Sequence, residues 1–158
     1  MNRNLAVVLV LMLALALLQG CNPGSSSGAA TGPSKDAGLS DVEFAKAAFT
    51  GLANGNQSIA SDIDWTNFKV SGQDVGATYN TFHDDANHEA FRSSFISSFS
   101  KSFKGAGGSA EALTNWTEKA SDPSHTVVSA EAPSRSHLLI TVTKNGSDKK
   151  LPSIQLGP

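Results

Sequence analysis

Apolar residues at helical spacing mark the start of the part of the chain that we expect to fold. One helix face carries the apolar side chains Val42, Ala45, Ala48, Phe49 and Leu52. Ser40 and Glu43 have the spacing of a capping box, in which each side chain accepts a hydrogen bond from the other residue's backbone N–H. Gly55 suits the left-handed position that follows a helix. The pattern predicts a helix from Ser40 to about residue 54.

A second, shorter helix is expected next, followed by a stretch whose pattern does not decide its structure. Ser58 is the expected cap, with Ile59 and Ile63 facing the interior and an end near Asp64-Trp65. Between residues 68 and 82, glycines interrupt scattered apolar residues. A short strand and irregular turns both fit that stretch, and both stay open.

Four phenylalanines at every fourth position predict the longest helix, over about residues 87–104. They are Phe91, Phe95, Phe99 and Phe103, and Ile96 widens the stripe. We expect this stripe to face the core, and the alternative is that it lines a ligand pocket. Lys101 and Lys104 complement the helix dipole in the last turn, and Gly105 is expected to end the helix.

After residue 108 the pattern becomes that of strands. Trp116 lies in a possible strand, and residues 126–130 and 138–143 are rich in β-branched side chains. Asn145-Gly146 is a hairpin signal, from which residues 151–156 return.

The order of these elements gives the fold class. Helices followed by an antiparallel sheet predict a single α+β domain over residues 39–158. Pro152 cannot donate a backbone hydrogen bond, so we expect it at an edge or at the start of its strand.

The N-terminus has the layout of an export signal. Arg3 precedes an apolar run over residues 5–18 that contains only Leu, Ala, Val and Met. Fourteen residues suit a signal peptide and fall short of the roughly 20 that span a bilayer as a helix. We therefore assign residues 1–20 to a cleaved signal. The alternatives are an ordinary signal peptide without lipid attachment and an uncleaved anchor.

The signal ends in Leu18-Gln19-Gly20-Cys21. This stretch resembles the lipobox of bacterial lipoproteins, although Gln19 departs from the small residue that is more common there. The resemblance implies a lipid on Cys21 and cleavage before it. The residue after the cysteine is Asn22, whereas an aspartate there would imply retention in the inner membrane. Asn22 therefore favours the outer membrane if the host has one. Several acyl chains on one cysteine give stable anchoring.

Composition limits what the rest of the chain can be. Residues 21–38 carry Cys21 and then Pro, Gly, Ser, Ala and Thr with almost no apolar bulk, which is typical of a flexible linker. The single cysteine excludes an internal disulfide. Without Arg3, 11 basic residues face 14 acidic ones and no basic run occurs, so we expect no nucleic-acid binding.

The order of elements, with particular residues, resembles the NTF2-like (cystatin-like) superfamily. The matching features are the first helix with Phe49, Leu52 and Gly55-Asn56, then Ile59 and Ile63-Asp64-Trp65, and the hairpin at Asn145-Gly146. The resemblance implies helices packed on a curved antiparallel sheet, with a cone-shaped cavity used for binding, dimerisation or occasional catalysis. A fold does not choose among these functions.

Few residues of the sequence suggest a catalytic or metal-binding role. His83-Asp84-Asp85 and His88-Glu89 have metal-binding side chains, but without metal-site spacing they are interpreted as a polar helix entry. Enzymes of the NTF2-like kind use a Tyr, Asp or His that faces the cavity. The residues of those types are Tyr79, Asp64, His83 and His125. No motif assigns a role to any of them, and no catalytic residue, metal or cofactor is predicted.

These observations favour a non-enzymatic, lipid-anchored protein of the bacterial cell envelope, facing the periplasm or the exterior. Its partners would be the membrane, through the lipid on Cys21, and an envelope protein or a small hydrophobic ligand. The alternatives are a cavity enzyme of the isomerase or cyclase type, acting on a small hydrophobic substrate, and a scaffold lipoprotein that forms a homodimer.

Overall fold

The computed structural model describes residues 38–134 and 136–157. The predicted signal sequence, the lipobox-like stretch with Cys21 and nearly all of the predicted linker lie outside these residues. Within the two described ranges, no helix combines the length and apolar character that crossing a membrane requires. The fold is α+β, with helices on a six-stranded sheet, as the sequence predicts.

Helix α1 spans Asp41–Asn54 and confirms the first predicted helix. Its capping box is complete, because Glu43 N donates to Ser40 Oγ at 3.2 Å and Ser40 N donates to Glu43 Oε2 at 2.9 Å. Gly55 follows with φ 76°, a left-handed conformation that glycine adopts without steric cost. The apolar stripe, including Phe49 and Leu52, is buried.

A single 3₁₀ turn, Gln57–Ser61, replaces the predicted second helix. Its cap is Asn56, whose side-chain oxygen accepts from Ser58 N at 3.0 Å, so the prediction that Ser58 caps it was wrong. Asn and Ser are comparable caps, and their sequence preference does not decide between neighbours. Ile59 and Ile63 are buried as predicted.

The stretch that the sequence left open holds three short elements. Strands β1 (Lys69–Val70) and β2 (Gln73–Asp74) form a tight hairpin, and helix α2 spans Val75–Tyr79. The two turn residues, Ser71 and Gly72, have φ 48° and 83°, which is the pattern of a type I′ turn.

Helix α3 spans Asp85–Gly105 and confirms the predicted long helix, with an earlier start. Asp84 caps it by accepting from Asn87 N at 2.8 Å. Phe91, Phe95 and Phe99 are buried, together with Ile96. Phe103 is only partly buried. Gly105 is the last helical residue, so the prediction that it lies beyond the helix was off by one position.

The sheet has the strand order β2-β1-β6-β5-β4-β3. Its long strands are β3 (Thr114–Ser121), β4 (His125–Glu131), β5 (His137–Asn145) and β6 (Asp148–Gly157), paired antiparallel in sequence order. β1 adds to the outer side of β6 in parallel. The expected antiparallel sheet is therefore a mixed one, because β1 comes from the segment between the helices.

The β5–β6 hairpin is confirmed, with two differences from the expectation. Asn145 pairs with Asp148, so Gly146 and Ser147 make the turn, and Gly146 takes the positive φ of 64°. Pro152 lies in a central strand, which corrects the prediction of an edge or a strand start. A register shift near Thr141 places it at a bulge, where a missing N–H is tolerated.

The core lies between the helices and one face of the sheet. Alternate residues of β4, β5 and β6 point towards the helices and are buried: Val128, Ala130, Leu138, Ile140, Val142 and Ile154. Trp65 joins the aromatic stripe of α3, with ring centroids 5.7 Å from Phe95 and 6.2 Å from Phe91. The phenylalanine stripe is thus core for most of its length.

Candidate functional site

An apolar cleft of about 320 Å³ opens at the C-terminal end of α3, between the helices and the sheet. Its floor is formed by Leu138 of β5 and by Ile154 and Leu156 of β6. Val70 and Ser71 at the end of β1 close one side, and the loop 106–113 together with residues 132–134 and Ser136 contributes the remaining walls. The cleft therefore joins segments from the whole length of the domain.

Aromatic rings from two helices form the roof. Phe49 of α1 lies 6.3 Å from Phe99 and 5.6 Å from Phe103, edge to face in both pairs. Phe99 and Phe103 stack 6.1 Å apart, because residues four positions apart share a helix face. The last two rings of the predicted stripe thus line a pocket, which is the alternative that the sequence left open for the stripe.

A glycine turn brings the chain back under this roof. Gly107 has φ 80°, and the amide of Gly108 donates to the Phe103 carbonyl at 2.9 Å. A Cβ on Gly108 would lie 2.6 Å from the Phe103 ring, a distance that no side chain could hold. Glycine at position 108 therefore lets the loop contact the ring directly.

Four serine hydroxyls are the polar side chains on the described walls of the cleft. Ser109 Oγ donates to Glu111 Oε2 at 2.8 Å, and Ser134 Oγ and Ser136 Oγ share a hydrogen bond of 2.6 Å. The fourth, Ser71 Oγ, is buried and has no hydrogen-bond partner among the described residues. One hydroxyl on the wall thus makes no hydrogen bond.

No Asp, Glu, Lys, Arg or His lines the cleft among the residues that the structure describes. Glu111 lies behind Ser109, where the hydrogen bond from that hydroxyl lowers the pKa of the carboxyl group. The walls that are described can bury apolar surface and form hydrogen bonds through hydroxyl groups. That combination suits a small, largely apolar molecule.

Two of the candidate residues named from the sequence lie in the first half of the domain. Tyr79 is buried and stacks between Trp65 at 5.9 Å and His88 at 4.2 Å. Asp64 accepts hydrogen bonds from Thr66 Oγ1 at 2.9 Å and Asn67 Nδ2 at 3.0 Å, within its own turn. Neither residue lines the cleft.

The other two candidates are exposed. His83 precedes α3, and His125 begins β4, where Ser124 Oγ lies 2.7 Å from its Nδ1. Asp122 organises this turn by accepting from Ser124 N and His125 N, both at 2.7 Å, and the hydrogen bonds from Ser124 lower the Asp122 pKa to about 2. The structure therefore brings none of the four candidates together, and none of them lines the cleft.

The polar cluster at the start of α3 is a helix entry. The hydrogen bond from the Asn87 amide lowers the pKa of Asp84, as expected for a capping carboxylate. Across the described part of the chain, no group of three or more His, Cys, Asp or Glu side chains has the geometry to hold a metal ion.

The sequence reading did not identify the wall residues that give the cleft its character. Ser71-Gly72 carries a local turn signal. No local signal shows that this turn meets the end of β6, because Ser71 N donates to Ile154 O, at 2.8 Å, across more than eighty positions.

No family model, curated protein or solved structure matches the chain.

Proposed function

We propose that this protein is a lipid-anchored bacterial envelope protein whose domain binds a small apolar ligand in the cleft and does not act as an enzyme. The observation that carries the proposal is the cleft itself, an apolar space of about 320 Å³ between the helices and the sheet. Small-molecule sites in proteins begin at about 300 Å³, so the ligand would be small.

We further propose that the domain is a cone of the NTF2-like type. Three α-helices and a 3₁₀ turn ahead of the four long strands, and a cavity between the two layers, support this assignment. The mixed sheet, with the β1–β2 hairpin added beside β6, departs from the simple antiparallel cone.

The choice of binding over catalysis rests on the chemistry of the walls. A general acid or base needs a titratable side chain within hydrogen-bond reach of the substrate. The described walls offer hydroxyl groups and aromatic faces instead. Phe103, Leu113 and Leu156, the apolar wall residues that are only partly buried, would supply much of the contact area with the ligand.

The ligand proposal is tested by filling the cleft. Ala112, on the wall, is changed to Phe, and Ala120, exposed on β3 and away from the wall, is changed to Phe as the matched control. Binding of the uncharged fluorophore N-phenylnaphthylamine is followed by energy transfer from the tryptophans. We expect A112F to weaken binding at least tenfold and A120F to leave it unchanged. Equal binding by both variants, or none by the wild type, would overturn the proposal.

The anchor proposal rests on Leu18-Gln19-Gly20-Cys21 at the end of the apolar run. In a bacterial host, Cys21→Ser should abolish incorporation of radioactive palmitate and block removal of residues 1–20. Ser25→Ala, four positions further on, is the matched control and should leave both unchanged. Palmitate incorporation into the Cys21→Ser chain would refute the assignment. Fractionation of the envelope would then test whether the labelled protein lies in the outer membrane, where one exists.

A further inference from the structure

The turn at Ser71-Gly72 combines two unfavourable features at the wall of the cleft. Ser71 has φ 48°, a left-handed conformation that costs a residue with a Cβ about 1–2 kcal/mol relative to glycine. Its hydroxyl oxygen is also buried with no hydrogen-bond partner among the described residues. Serine at this position therefore adds both strain and an unsatisfied polar group to the fold.

Neither feature is relieved by movement of the backbone. Ser71 N donates to Ile154 O at 2.8 Å, which fixes the turn to the central strand β6. Val70 and Gln73 pair on either side of the turn, so a two-residue connection is enforced. Type I′ turns favour Asn, Asp or Gly at the position that Ser71 occupies.

The neighbouring serines show what is distinctive about position 71. Ser109, Ser134 and Ser136 also line the cleft, but their hydroxyls are already in hydrogen bonds at 2.6–2.8 Å. A serine hydroxyl provides one donor and two acceptor positions. Among the four hydroxyls on the described walls, only that of Ser71 makes no hydrogen bond, so a bond from a ligand would be its first.

We infer that the Ser71 hydroxyl holds the polar end of an uncharged amphipathic ligand, whose apolar part lies against Phe49, Phe99 and Phe103. This inference rests on the proposed binding function of the cleft and adds the class of ligand. On entry of the ligand, Ser71 turns about its Cα–Cβ bond and bonds the ligand oxygen. An ionised ligand is disfavoured, because a single hydroxyl group does not repay the cost of taking a charge out of water.

The proposed class of ligand is tested by comparing the binding of three probes of similar chain length: octanol, octane and octanoate. Each displaces N-phenylnaphthylamine from the full chain held in lipid nanodiscs. Comparison of variants in the same nanodiscs cancels partition of the probes into lipid. Octane is the more hydrophobic probe, so the preference for octanol is taken as the factor by which octanol gains on octane beyond that difference. For the wild type we expect this factor to be about five- to tenfold, the effect of one net hydrogen bond. Octanoate at neutral pH should bind most weakly.

Three substitutions separate the ligand role from a structural one. Ser71→Ala should abolish the preference for octanol over octane and leave octane binding unchanged. Ser71→Gly should do the same and also raise Tm by about 2–4 °C, because glycine removes the strain. Ser94→Ala, at an exposed position of α3 that is not part of the cleft wall, is the control and should keep the preference.

The outcomes distinguish this inference from the function on which it rests. If no probe binds the wild type, both fail. If octanol and octane bind but Ser71→Ala keeps the preference, only the role of Ser71 fails, and the cleft remains a binding site. Tight binding of octanoate would overturn the assignment to uncharged ligands.

Discussion

The Asp41 Oδ1 atom lies 2.8 Å from Lys149 Nζ, which ties the first turn of α1 to the β5–β6 hairpin. The same carboxylate lies 3.2 Å from Lys144 Nζ and accepts a hydrogen bond from Thr126 Oγ1 at 2.6 Å. Lys149 Nζ also donates to the Leu39 carbonyl. The Asp41 side chain is 15% exposed, so this cluster is shielded from solvent.

Loss of the Asp41 charge should destabilise the domain. Asp41→Asn leaves the largely buried ammonium groups of Lys144 and Lys149 without their counter-charge. We therefore expect the free energy of unfolding at pH 7 to fall by about 2 kcal/mol. Asp148→Asn is the matched control, because the Asp148–Lys150 pair is largely exposed and should contribute about 0.5 kcal/mol or less. Urea titration measures both values. Equal effects in the two variants would show that burial does not strengthen the Asp41 pair.

The same carboxylate should make the domain sensitive to acid. Burial raises the pKa of Asp41, but the hydrogen bonds from Lys149, Thr126 and Lys144 outweigh burial and lower it from 3.8 to about 2. Because the pKa is lower in the folded state, the stabilisation is present above pH 4 and is lost as the pH falls towards 2.

This contribution amounts to about 2 kcal/mol. Between pH 4 and pH 2, the wild type should therefore lose about 2 kcal/mol more of its free energy of unfolding than Asp41→Asn does. Parallel pH profiles for the two proteins would contradict a role for Asp41 in acid sensitivity. The other carboxylates are the same in both proteins, so their contributions to the pH dependence cancel in this comparison.

A close approach of backbone to backbone makes Gly76 a sensitive position. A Cβ there would lie 2.5 Å from the Thr66 carbonyl oxygen, and neither group is at the end of a flexible side chain. Gly76→Ala should lower the free energy of unfolding by about 2 kcal/mol or more. Gly105→Ala, also in a helix but with no heavy atom within 4 Å of the added Cβ, should be neutral or stabilise the domain by about 0.5 kcal/mol. Thermal unfolding of both variants checks the sign of each change.

A buried hydroxyl links the two long helices. Ser100 Oγ donates to the Ala53 carbonyl at 2.8 Å, in the last turn of α1. Ser100→Ala should cost about 1 kcal/mol, the net value of one hydrogen bond. Ser94→Ala, at an exposed position of the same helix, should stabilise slightly, because alanine has the higher helix propensity. Guanidinium titration compares the two, and a stabilising S100A would refute the link.

Elements with strong local patterns were predicted correctly from the sequence. Ser40 and Glu43 predict the start of α1, the phenylalanine stripe predicts α3, and the β-branched residues near Val142 predict β5. In each case the signal lies within the element itself. Side-chain type and spacing are sufficient there, because the burial of one face is what forms the element.

Elements that depend on distant partners were not predictable. β1 has two residues, too few for a pattern, and it exists because Lys69 and Val70 pair with Ser153 and Ile154. The same long-range pairing places Ser71 at the wall of the cleft. Choosing candidate site residues by their side-chain type led instead to Tyr79 and His125. The structure places Tyr79 in an aromatic stack and His125 in a turn.

The position of β6 has a consequence for how the domain is made. β6 lies between β1 and β5 in the sheet, yet it is the last strand along the chain. A ribosome or an export channel therefore releases every other described element before the strand that joins the two sides of the sheet. Complete folding must wait until residue 157 has emerged. For an exported envelope protein, as proposed above, β1 and β5 stay unjoined until β6 has crossed the membrane.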